Sequence, residues 1–203
     1  MTDTIIEYSP GVWIDLSLDS ATLSSIAVDI ATNLEGLDLE GMSADEFAEF
    51  VLSVRDDYAE VDLDRFLLIC NPIGPPVVAV VWAEDIDDGH TELAALVRAS
   101  DDDLGDAVVE NVSLDDGVEA CRVVTVEPIS EAMGDELDEE ADFAALADVL
   151  IATVRYATEI KSATGRALVW AAITTPRIAE LPGIVPALES LLVTARADDD
   201  MGT

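Results

Sequence analysis

Apart from its carboxylates, this chain has very few residues able to do chemistry. It has one histidine, His90, two cysteines, Cys70 and Cys121, and 44 aspartates and glutamates. A lone imidazole excludes a multi-histidine zinc centre. His90, Thr91 and Glu92 have the His-x-Glu order of zinc deaminases, where the histidine holds the metal and the glutamate moves the proton. The Pro-Cys-x-x-Cys that completes such a site is missing, so His90 is expected as a polar surface residue at a helix start. The stretch DIDDGHTE (85–92) sets Asp85, Asp87 and Glu92 around Gly89, the oxygens and the bend of a calcium loop. An EF-hand loop needs glycine at position 6 and glutamate at position 12. Here glycine comes at position 5 and position 12 is Leu96. An Asp-Gly turn leading into a helix is the better fit.

Nucleophilic chemistry has as little to build on. Cys70 and Cys121 sit in apolar, strand-like runs, FLLIC and EACRVV, where buried, reduced thiols are expected. A Cys-His pair would arise only by an accident of folding. The chain contains no G-x-S-x-G, P-loop, G-x-G-x-x-G or Cys-x-x-Cys. Paired carboxylates carry no information, because among so many acids two will stand ~5–9 Å apart in any fold. Sugar hydrolysis also wants an aromatic-lined cleft, and aromatics are 5% of this chain. Trp13, Trp82 and Trp170 fall in strand-like runs and are expected in the core. No catalytic residue, metal or cofactor is assigned.

The charge says more. Nine bases against 44 acids give a formal net charge of −35. Such a surface repels phosphates and anionic lipid, which sets nucleic acid and membranes aside as partners. The longest apolar runs fall well short of the ~20 residues that cross a bilayer. MTDTIIEYSPG at the N-terminus shows no basic leader or apolar h-region, so a cytoplasmic location is expected. Three accounts of the acidity stand: adaptation to a salty cytoplasm, mimicry of an anionic ligand by an inhibitor or immunity protein, and plain solubility.

Within this acidity one segment differs. From 149 to 178 there are four cations, Arg155, Lys161, Arg166 and Arg177, against Glu159 alone, a balance of +3 that leaves −38 for the rest. Alternation over 149–160 puts Leu150, Ala152, Val154, Tyr156 and Ile160 on one strand face and Ile151, Thr153, Arg155, Ala157 and Glu159 on the other. A partner strand at 166–175 follows the turn KSATG. Burial on both faces keeps acids out of such a hairpin, and its cations then balance nearby carboxylates. The alternative is a docking surface made by Arg155, Lys161, Arg166 and Arg177, for a protein partner or a second copy of the chain.

The remaining elements follow from period and punctuation. WIDLSLD (13–19) suits a first strand. Asp19 or Ser20 caps a helix with Leu23, Ile26, Val28, Ile30 and Leu34 as its stripe, and Gly36 stops it. Ser43 and Glu46 make a capping box before a second helix whose face is Phe47, Phe50, Val51, Val54 and Tyr58. Residues 65–83 read as two buried strands around a Pro- and Gly-rich turn. A short helix over 90–100 precedes a hairpin around Asp115-Asp116-Gly117. Six acids in the eight residues 135–142 predict a mobile loop at 134–142. The last helix is predicted from about Pro186, and 198–203 is read as a frayed acidic tail. Consecutive hairpins with helices between them give an α+β fold with a mostly antiparallel sheet, in a single domain spanning 1–203.

The late hairpin VRYATEIKSATGRALVWAAITTP followed by VPALESLLVTA resembles the closing half of Mog1/PsbP-like domains of small actinobacterial proteins, over Val149 to Arg196. The resemblance implies a sheet between helices and a non-enzymatic binding or adaptor role. It carries no catalytic motif over.

Two classes of function remain. One is an acidic binding, adaptor or inhibitor protein that selects a basic partner. The other is an enzyme with a carboxylate or metal site that sequence does not reveal. The charge also sets a test. If haloadaptation explains it, thermal stability should keep rising beyond ~0.5 M salt, where simple screening is nearly complete. A melting temperature that levels off near physiological ionic strength would remove that account.

Overall fold

Alternating apolar side chains and well-placed turns build most of this molecule. The computed structural model describes residues 4–10, 12–33, 39, 41–58, 65–69, 77–86, 92–100, 107–129, 149–161 and 165–197, with 4, 65–69 and 197 by backbone alone. In chain order come β1 (Thr4–Ile5), β2 (Trp13–Asp15), α1 (Ser20–Asn33), α2 (Ala44–Asp57), β3 (Arg65–Ile69), β4 (Val77–Asp85) and α3 (Leu93–Ser100). They are followed by β5 (Val108–Ser113), β6 (Glu119–Pro128), β7 (Leu150–Lys161), β8 (Arg166–Thr175), α4 (Leu181–Val193) and β9 (Arg196–Ala197). Residues 134–142 and 198–203, expected from sequence as a loop and a tail, lie outside the described residues, as do Gly36, Cys70 and His90.

The fold is α+β. Among the described residues seven strands form one sheet in the order β2-β3-β4-β8-β7-β6-β5, every neighbouring pair antiparallel. It consists of two meanders, β2-β3-β4 and β5-β6-β7-β8, joined where β4 lies against β8. The β7–β8 hairpin is therefore interior, as its pattern predicts. A further short pairing, β1 with β9, ties the two ends of the described chain together.

Local signals account for the element limits. Asp19 is the cap of α1, its Oδ1 accepting from the backbone N–H of Ala21 and Thr22. At α2 the capping box is complete: Ser43 accepts from the Glu46 N–H, and the Glu46 carboxylate accepts from the Ser43 N–H. The turn between β5 and β6 needs left-handed backbone at Asp116 (φ 59°) and Gly117 (φ 76°), which Asp-Gly tolerates well. Some boundaries differ from the sequence reading: the first strand ends at Asp15 rather than 19, and the short helix begins at Leu93 rather than 90. The last helix begins at Leu181, not near Pro186. Pro182 takes the first turn, where no N–H is needed, and Pro186 sits inside the helix on its exposed side at the loss of one backbone hydrogen bond.

Helices cover both faces. On one face α4 lays Ile184, Leu188, Leu191 and Leu192 over Val154, Tyr156, Val169, Ala171 and Ile173. Alanines on the sheet, including Ala79, Ala120, Ala167 and Ala171, leave room for the long helix side chains. On the other face α1 and α2 pack Leu23, Ala27, Ile30, Phe47, Ala48 and Val51 against Ile14 and Leu16. Further along that face, α3 packs Leu96 and Val97 against Cys121, Val123, Ala157, Leu168 and Trp170. All three tryptophans belong to this packing. Trp13 and Trp170 are fully buried, and Trp82 stacks on Trp170 with ring centroids 5.5 Å apart.

Leu188 is wholly enclosed between α4 and the sheet. Leu188→Ala should cost about 2–5 kcal/mol of unfolding free energy, read as a lower urea midpoint at unchanged m-value. A loss below ~1 kcal/mol would mean that α4 does not hold the sheet as described.

Candidate functional site

The four cations singled out by the sequence do not meet. Lys161 and Arg166 face each other across the turn end of the β7–β8 hairpin and share Glu159. The Arg166 guanidinium donates to the Glu159 carboxylate, while Lys161 Nζ stands 3.7 Å away and is largely exposed. The Arg166 hydrogen bond, with help from both charges, holds the Glu159 carboxyl below the usual carboxylate range. Arg177 lies beyond the other end of β8, about 30 Å off by strand rise, and donates to Glu180 at 2.7 Å. Arg155 stands mid-strand opposite Ala172, on the face covered by α1, α2 and α3.

Most polar groups that enter the interior are tied to a partner, although among the described residues the buried indole N–H of Trp13 has none. The Trp170 indole donates to Glu84 at 2.6 Å. Thr158 donates to the Glu119 carbonyl at 2.9 Å, pinning β7 to β6. The Tyr156 hydroxyl donates to Glu189 of α4 at 2.6 Å, and next to it Arg122 donates to Glu110 of β5. Burial first, and the Glu189 carboxylate second, push the Tyr156 phenol up to about 12. Cys121 is a free, buried thiol, and burial raises its pKa as well, which makes it a packing residue and a poor nucleophile.

Clefts open among these elements. One of about 370 Å³ lies on the sheet face between α2 and β8, with Val78, Val80 and Ala172 along its floor and Tyr58, Thr174 and Arg177 among its walls. Another, about 350 Å³, separates α3 from the end of β4 near Glu84, Ile86 and Leu168. A third, about 420 Å³, runs beside β2 and α1 past Trp13, Asp15, Asp29 and Ile30. Among the described residues no three His, Cys, Asp or Glu side chains stand close enough to hold a metal ion.

One surface feature departs from the acidic coat. Among the described residues, Val108, Val126 and Leu150 are the exposed large apolar side chains, at 61%, 53% and 47%. The register places Val108 opposite Val124, Val126 opposite Ala152, and Leu150 opposite Pro128. All therefore lie on the α4 face and step diagonally across β5, β6 and β7. Leu114 and Val118, at the far end of β5 and β6, belong to the core that α4 covers. The valine and leucine strip lies at the opposite end. Leu150 shares its strand face with the buried Ala152, Val154 and Tyr156, yet is itself exposed. No protein-family model matches the chain, and no curated protein matches it.

The tie between α4 and the sheet has a pH signature. A phenol whose folded pKa is raised favours the neutral form in the fold. Its contribution is whole below the free tyrosine value of ~10 and is lost as pH rises through about 12. Tyr156→Phe should lower stability by about 1–3 kcal/mol at neutral pH, since Glu189 loses its donor. That deficit should shrink steadily as the pH passes from ~10 toward 12, followed by urea midpoints of both proteins. A deficit that stays constant over this range would contradict the assignment.

Proposed function

We infer that this protein works by holding another protein, as an acidic binding or adaptor module rather than as an enzyme. The strip of exposed Val108, Val126 and Leu150 carries this reading. Exposed apolar side chains that adjoin on a rigid sheet mark contact surfaces, whereas the interior polar groups of this fold serve packing. The formal charge of −35 gives the partner its character: a basic surface is drawn in, and acidic ones are turned away. The resemblance of the closing hairpin and helix to Mog1/PsbP-like domains implies a role of the same kind. An inhibitor that mimics an anionic ligand falls within it, because it uses the same attraction.

The test is capture from the native cytosol on immobilised protein, at low and high salt. The reading expects one dominant polypeptide of basic pI, retained near one-to-one and released as salt rises. If the retained partner is an enzyme, loss of its activity on binding would make this protein an inhibitor. Retention of nothing above background at either salt would overturn the reading.

A further inference from the structure

Strand β5 closes one side of the seven-stranded sheet, and its outer edge pairs with no other described strand. An edge of this kind presents backbone N–H and C=O groups ready to pair, and proteins usually blunt it with lysine, proline or a bulge. The sequence of β5, VVENVS, contains no lysine or proline, and its six residues pair with β6 in unbroken register. The one charged side chain on the strand, Glu110, is drawn inward along the sheet by Arg122 of β6. The apolar strip begins on this same strand at Val108 and continues through Val126 to Leu150. Beyond the strand end stand the exposed acids Asp115, Asp116 and Glu119.

We propose that the β5 edge takes an extended, basic segment of a partner protein as an eighth antiparallel strand. Apolar side chains of that segment on the α4 face lie beside Val108, the exposed valine of the edge strand itself, and its lysines or arginines answer the acidic surroundings. Backbone pairing supplies affinity in strand addition, and alternate side-chain contacts supply selectivity. The charge decides the occupant. A second copy would bring another −35 to the same edge, whereas a cationic strand is steered to it. The proposal rests on the binding-module reading and names where and how the partner sits.

The probe is a pooled set of decapeptides with lysine or arginine at alternate positions and valine, isoleucine or threonine between them. A matched pool carrying glutamate in place of the cations is the control. The basic pool should bind the full chain, weaken as salt rises, and confer exchange protection on the amides of 108–113. Val108→Lys alters an exposed side chain and places on the edge strand the cation that usually blunts one, so it should melt as the wild type does while binding about tenfold or more weakly. Val108→Ile should bind as the wild type does. Failure of the basic pool to bind overturns the proposal, and so does binding that leaves the 108–113 amides unprotected and is indifferent to Val108→Lys. A salt-induced dimer that Val108→Lys abolishes would assign the edge to a second copy and overturn it equally. If a partner captured from cytosol binds the Val108→Lys variant unchanged, the module reading survives and this edge does not.

Discussion

The structure depends on the cost of burying a carboxylate. With a formal charge of −35, the chain needs strands almost free of acids, and these are β8, β7 with Glu159 alone near its end, and the apolar stretch of β4. A lone carboxylate without a partner in such a place would cost several kcal/mol or take up a proton instead. The carboxylates near the interior are accordingly fixed to donors: Glu84 to Trp170, Glu189 to Tyr156, Glu159 to Arg166. The cation-rich segment is explained on this footing. Arginine tolerates a sheet that aspartate would not, because its stem packs while its head finds a carboxylate.

Size complementarity then orders the layers. Alanines set along β4, β6 and β8 lower the sheet surface, and the leucines of α4 fill the space above it. On the opposite face the task is divided between α1 with α2 and the short α3. A sheet of seven strands is wider than one helix of thirteen residues can cover. The corner of the α4 face on β5, β6 and the start of β7 stays open for that reason, and its valines and leucine remain in contact with water. What distinguishes this surface is thus a mismatch between the width of a sheet and the reach of a helix.

Much of this is written locally in the sequence. Period-two alternation assigns the faces of β7 and β8 residue by residue, the Ser43–Glu46 box starts α2, and Asp-Gly turns β5 into β6. Pro186 misleads, because a proline inside a helix and a proline opening one look alike until Pro182 is seen to occupy the first turn. Three things are written nowhere locally. The pairing of β4 with β8 joins strands that share no turn. The bond from Tyr156 to Glu189 needs the helix docked at one particular angle. The exposure of Val126 depends on where α4 is absent, and nothing in the sequence around Val126 encodes that.

The seam between the two meanders also governs how the molecule comes together. Ala79 pairs with Ile173, 94 positions further along (173 − 79). Within each meander the paired strands follow one another in the chain, through connections as short as the β5–β6 turn and as long as the passage through α1 and α2 between β2 and β3, but the seam waits until most of the chain has been synthesised. Closing so long a loop is entropically unfavourable before the contacts that reward it exist, and such non-local pairing belongs to slowly folding topologies. Until then the inner edges of β4 and β8 are themselves unpaired and apolar. The mutual repulsion of an acidic surface keeps those half-finished chains apart, so that the charge protects the nascent protein before it serves the folded one.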